Sequence, residues 1–137
     1  MSDSAELTAA NRALAERLYA AEEAGDFAGV LACFADDCVF RVAANHPVAG
    51  PWTGIDRIVA AFGEWMPMIK PTGMSLVELV ADGPERVIAL AEARGQEEDG
   101  TPWSMPAAEF LTIRGGKVVE TQVFYWDLVE LRRLAGV

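Results

Sequence analysis

Three apolar-rich runs dominate the second half of the chain: 86–98 (RVIALAEARGQEE), 101–114 (TPWSMPAAEFLTIR) and 117–127 (KVVETQVFYWD). Asp99-Gly100 separates the first two and Gly115-Gly116 the last two. Such dipeptides between strand-like runs predict hairpin turns, because their residues tolerate positive φ. The pattern therefore predicts a meander of three antiparallel strands, each longer than a typical strand. Long antiparallel strands with one buried face form a curved wall.

The first half reads differently. Over 4–24, Leu7, Leu14, Leu18 and Ala21 fall on one helical face, with Ala10 between them. Asp3 or Ser4 is the expected N-cap, and Gly25 the C-terminal stop. Tyr19 lies at the edge of the Leu18 ridge. Asp26 should cap a short helix carrying Phe27, Val30, Leu31 and Phe34, stopped at Asp36-Asp37. Residues 38–42 (CVFRV) alternate as a short strand, with Phe40 and Val42 on the Cys38 face. A loop over 43–53 precedes a third helix capped by Thr53, with Ile55, Ile58, Val59, Phe62, Trp65 and Met66 on one face and Pro67 at its end. A second loop around Pro71 and Gly73 leads to a strand over 74–81, and Asp82-Gly83-Pro84 turns the chain into the meander. Residues 128–134 predict a short closing helix or tail.

Early helices followed by consecutive strands exclude a parallel α/β sheet. They predict an α+β domain over 1–137, with three N-terminal helices on one face of a strongly curved antiparallel or mixed sheet. Curvature against helices leaves a cone-shaped hollow, the kind of concave apolar site that takes small ligands.

Composition narrows the function. With 137 residues and 52% apolar content the chain builds one core. A net charge of −10 argues against nucleic-acid partners. The polar, acidic start and the lack of a long apolar run predict neither a signal peptide nor a membrane partner, and a cytoplasmic location. Cys33 and Cys38 read as free buried thiols, and a single histidine, His46, leaves few metal ligands. Neither metal nor cofactor is expected.

Four stretches resemble a known family: 19–37 (YAAEEAGDFAGVLACFADD), 46–58 (HPVAGPWTGIDRI), 87–100 (VIALAEARGQEEDG) and 115–131 (GGKVVETQVFYWDLVEL). In order and spacing they resemble the nuclear transport factor 2-like superfamily, within it the SnoaL-like and ketosteroid isomerase-like groups. The last stretch is also similar to the closing segment of limonene epoxide hydrolases. The resemblance implies a cystatin-like cone and a single SnoaL-like domain. It also implies a steroid-, polyketide- or terpenoid-like hydrophobic ligand, and cofactor-free isomerase, cyclase or epoxide-opening chemistry. A non-catalytic binding protein for such a ligand is the alternative, because this fold hosts both.

The family's known catalytic sets are incomplete here. The isomerase tyrosine falls on Leu18, beside Tyr19, its general base on Val42 and its second acid on Glu109. Of the epoxide hydrolase set, one acid falls on Glu92, the arginine on Leu90 (Arg94 lies beyond the acid), the other acid on Val123 or Phe124, and the water-holding pair on Phe40 and Val42. Scytalone dehydratase-like chemistry needs paired histidines.

The surviving acids are Glu92 and Glu109, each in an apolar context. Burial would raise their pKa into a range suited to acid–base work. In the competing reading Glu92 pairs with Arg94 on one strand face and Glu109 faces solvent. Asp127 either orients a pocket group or caps the closing helix. Tyr19 is a pocket donor or a core residue, and His46 a pocket-mouth ligand or a solvated loop residue. Phe40, Val42, Phe62, Trp65, Trp103 and Phe124 are expected against the ligand, with Arg94 beside them, while methionines such as Met66, Met68, Met74 and Met105 add adaptable surface. Apolar residues on both strand faces (Leu90, Phe110, Val119) predict a homodimer through the outer sheet face.

Overall fold

The computed structural model describes residues 2–137. The elements run α1 (Ser2–Ala24), α2 (Phe27–Leu31), β1 (Phe34–Arg41), β2 (Trp52–Thr53), α3 (Ile55–Ile69), β3 (Pro71–Asp82), β4 (Arg86–Gln96), β5 (Pro102–Arg114), β6 (Lys117–Tyr125) and α4 (Leu128–Ala135). The strands form one sheet in the order β2-β1-β6-β5-β4-β3. The meander pairs antiparallel throughout, and β1 joins β6 in parallel, so the sheet is mixed. Register breaks in β3, β5 and β1 bend it. The α+β cone expected from the pattern is the fold observed.

The elements differ locally from expectation. Asp3 and Ser4 lie inside α1, and Leu7 and Ala10 are exposed. The buried face is instead Asn11, Leu14, Ala15, Leu18 and Tyr19. Its N-terminal half is tied to the β3–β4 turn, where Thr8 and Asn11 donate to the carbonyls of Gly83 and Pro84 at 2.7 Å each. Asp26 caps α2 through the amide of Gly29, but the helix ends at Leu31, and Phe34, Asp36 and Asp37 already belong to β1. The acidic pair therefore sits on a strand, where its charges stay at the surface.

Trp52 and Thr53 form the short β2, pairing with Phe40 and Val39, where a loop was expected. With Thr53 committed to that ladder, Gly54 occupies the α3 N-cap at φ +86 without a side-chain cap bond. Pro67 lies inside α3, which continues to Ile69 and ends at left-handed Lys70. Pro71 and Gly73 belong to β3, an edge strand where a missing ladder donor is tolerated. The turns behave as their chemistry dictates. Gly115 and Gly116 both take positive φ between the paired Arg114 and Lys117. At the other turn only Gly100 does so, inside a wider loop closed by the Glu97 amide on the Thr101 carbonyl.

Two apolar clusters fill the concave side. One joins α1 to β3–β6 through Leu14, Leu18, Tyr19, Val87, Leu111 and Ile113. The other joins α3, α4 and β1 through Phe40, Trp52, Trp65, Ile69 and Leu131. Cys33 and Cys38 are free and buried. Between the clusters the cone stays hollow.

Candidate active site

Strand alternation decides what the hollow sees. On β5, Met105, Ala107, Glu109, Leu111 and Ile113 are buried toward the helices, and the intervening residues face outward. On β6, Thr121 and Val123 share that inner face. The hollow holds about 420 Å³ and is lined mostly by apolar side chains, among them Leu18, Phe34, Phe40, Phe62, Trp65 and Trp103. Its polar lining comes chiefly from Glu22, Thr121, Tyr125, Arg94 and Glu109.

Glu109 is only 7% exposed and Tyr19 only 2%. The Tyr19 hydroxyl donates to Glu109 Oε1 at 2.6 Å, from the face of α1 that packs on the sheet. Burial pushes the Glu109 carboxyl above the ordinary range, and the Tyr19 hydrogen bond opposes that rise by favouring the anion. Glu22 lines the same hollow from the last turn of α1. Burial raises its carboxyl well above the usual value, and the Glu109 charge adds to it. Two carboxyl groups in one apolar space cannot both ionise cheaply. The Tyr19 bond favours the anion at Glu109, whereas both causes acting on Glu22 favour its protonated form. Tyr19 and Tyr125 are themselves pushed up, by burial first and then by Glu109, so both remain neutral phenols.

Arg94 stands at the rim. It donates to Ser75 and passes over Gly73 to Glu23 on α1, at 3.1 Å. A Cβ at Gly73 would lie 2.7 Å from its guanidinium, so glycine opens that path. Trp103 is seated in the same way. Its ring covers Gly95, where a Cβ would meet the indole at 2.4 Å, and its Nε1 donates to the Ile69 carbonyl.

The predicted site residues divide accordingly. Glu109, Phe40, Phe62, Trp65, Arg94 and Trp103 line the hollow, and Tyr19 stands behind Glu109 as its donor. Glu92 does not line it: alternation on β4 turns it outward with Ile88 and Leu90, and Arg94 pairs with Glu23 instead. Phe124 is outward too, 49% exposed and edge-on to Phe110. Asp127 is exposed and caps α4, accepting from the Glu130 amide at 3.0 Å. Val42 lies beyond β1, against Gly50 rather than the hollow.

His46 is neither solvated nor at a pocket mouth. It is 4% exposed behind Trp65, with ring centroids 4.5 Å apart. Its Nδ1 lies 3.0 Å from both the amide and the carbonyl of Val48, accepting from the first or donating to the second according to tautomer, and its buried Nε2 has no partner among the described residues. Burial accordingly lowers its pKa.

Glu22, Thr121 and Tyr125 escaped the sequence reading. For Glu22 a signal existed. It follows Leu14 and Leu18 at helical spacing, so a charge interrupts the buried stripe of α1. Thr121 and Tyr125 carry no such mark, since their facing depends on the β6 register.

The family model described as a SnoaL-like domain matches residues 15–121. An uncharacterized protein of Mycobacterium tuberculosis (strain H37Rv) is 30% identical over 128 residues, 93% of each chain. Among solved structures, TerC co-crystallized with polyporic acid superposes with a TM-score of 0.78 at 20% identity, over 93% of this chain and 99% of that one. A ketosteroid isomerase-like protein from Catenulispora acidiphila, in complex with trimethylamine, gives 0.71 at 19% identity, over 90% and 92%. The match spans three of the four stretches that carry the sequence resemblance (19–37, 46–58 and 87–100) and the start of the fourth, and the chain belongs to the SnoaL-like family.

Proposed function

We propose that the hollow is the active site of a small-molecule enzyme that moves a proton on a hydrophobic substrate without a cofactor. The observation that carries this reading is Glu109: a buried carboxylate on an apolar wall, held by Tyr19 and joined there by a second carboxyl, Glu22. Its raised pKa brings it nearer to neutrality, where a general base is most effective. Glu109 takes a proton from a carbon beside a carbonyl, the step shared by isomerisation and cyclisation; it then returns that proton to the γ-carbon of the dienolate in the first case and to the new alkoxide oxygen in the second. Tyr125, a neutral phenol on the same lining, supplies a hydrogen-bond donor to the oxygen on which charge develops. Crystals of two proteins of this fold hold small molecules, polyporic acid and trimethylamine, which supports the hollow as a ligand site.

The test is deuterium exchange at the α-carbons of a panel of fused-ring and β,γ-unsaturated ketones, followed by NMR in D2O. The wild type should accelerate exchange, and Glu109→Gln should lose about 100-fold or more of that acceleration while staying folded. Equal exchange by Glu109→Gln would remove Glu109 from the mechanism. Saturable binding of the panel without any exchange would identify a binding protein instead.

A further inference from the structure

The charge inside the hollow is unbalanced. Glu22 enters from α1 and Glu109 from β5, and the titratable groups beside them, Tyr19 on α1 and Tyr125 on β6, are neutral. Arg94 of β4 is the single Lys, Arg or His among the described lining residues, and it is engaged at the rim by Ser75 and Glu23. A second observation points to a missing ligand. Thr121 is 2% exposed on the inner face of β6, lines the hollow, and its Oγ1 has no hydrogen-bond partner among the described residues. A buried hydroxyl without a partner carries a desolvation cost that a ligand group would remove. The walls around these groups are aromatic: Phe40, Phe62, Trp65 and Trp103.

A neutral hydrocarbon would leave both the carboxylate and the hydroxyl unmatched, and an anion would face like charge. A protonated amine answers every feature. Its N–H groups donate to carboxylate and hydroxyl oxygens, and its positive charge is attracted to ring faces, most strongly where water is excluded. The chain's net charge of −10 adds a field that draws cations in. We propose that the hollow takes an amphiphilic organic amine, its ammonium group against Glu22, Glu109 and Thr121 and its hydrocarbon body along the aromatic walls. This rests on the reading of the hollow as the small-molecule site and narrows the class of its substrate. The ammonium arrives carrying its own proton, any proton still on Glu22 leaves to solvent as the ion pair forms, and Glu109 stays ionised as the base.

The test titrates the protein at pH 7 with 2-phenylethylamine and with its carbon isostere, propylbenzene, read by tryptophan fluorescence. The amine should bind about tenfold or more tightly than the isostere. Glu22→Gln should erase most of that advantage and leave the isostere's affinity unchanged, which also shows that the variant is folded. Equal affinities for the two probes would overturn the proposal and leave Glu109 as a base for neutral ketones. Amine selectivity in a protein that exchanges no ketone would sink the catalytic reading and leave the ligand class standing.

Discussion

Replacing Tyr19 with phenylalanine removes one oxygen and leaves the ring in its packing. The lost group donates to Glu109 Oε1 at 2.6 Å, with both side chains buried. A hydrogen bond to a charged group contributes about 1.5–3 kcal/mol, against about 1 kcal/mol for a neutral pair. At pH 7, with Glu109 ionised as the proposed base, Tyr19→Phe should therefore cost about 2 kcal/mol. For a chain of 137 residues that corresponds to roughly 5–10 °C in Tm. At pH 4 the raised Glu109 carboxyl keeps its proton, so the cost should fall to about 1 kcal/mol. The assay is urea unfolding followed by tryptophan fluorescence at both pH values, on Tyr19→Phe, Glu109→Gln and the double variant. The two substitutions should be non-additive, because they remove one shared bond. A cost that does not change with pH, or that persists undiminished in Glu109→Gln, would refute an anionic Glu109 held by Tyr19.

Other outcomes follow from the same geometry. Gly95→Ala should displace the Trp103 indole, destabilise by about 1–3 kcal/mol and weaken ligand binding at that wall, as unfolding and fluorescence titration would show. NMR of the His46 ring should find a titration midpoint below the ordinary 6.5. Because the folded state resists protonation there, His46 costs stability as pH falls from 6.5 through its lowered folded value. The outer sheet face exposes Leu90 and Phe124, with Phe110 beside them, and we propose that two copies meet there. Sedimentation should show a dimer that Phe124→Glu converts to a folded monomer, and a monomeric wild type would contradict this.

The architecture was legible because it rests on period-two runs, glycine turns and amphipathic helices, which local chemistry dictates. Boundaries moved where tertiary pairing overrode local signals. Thr53 reads as a helix cap until β1 recruits it, and Pro67 reads as a stop although Met68 and Ile69 continue the helix beyond it. The site was half legible. Glu109 stood out as an acid in an apolar run, but so did Glu92, and only the β4–β5 register, which pairs Glu92 with Pro106 and Ala89 with Glu109, separates inward from outward. The likeness to the isomerases puts their tyrosine on Leu18. The rotation of α1 brings the Tyr19 hydroxyl to Glu109, one position away. Asp127 carries an ordinary capping signal, and capping is what it does.

Glu22 and Glu109 line one apolar hollow, and the charge on Glu109 bears on the Glu22 carboxyl. Carbon-13 NMR of the glutamate carboxyls across pH tests this most directly. Glu22 should titrate well above the ordinary glutamate range, and Glu109→Gln should bring it partly back, since the Glu109 charge is the second cause of its shift after burial. The folded state then holds protons that the unfolded chain has released, so stability should decline as pH rises above the ordinary glutamate range. Two carboxyls titrating independently at ordinary glutamate values would contradict the account.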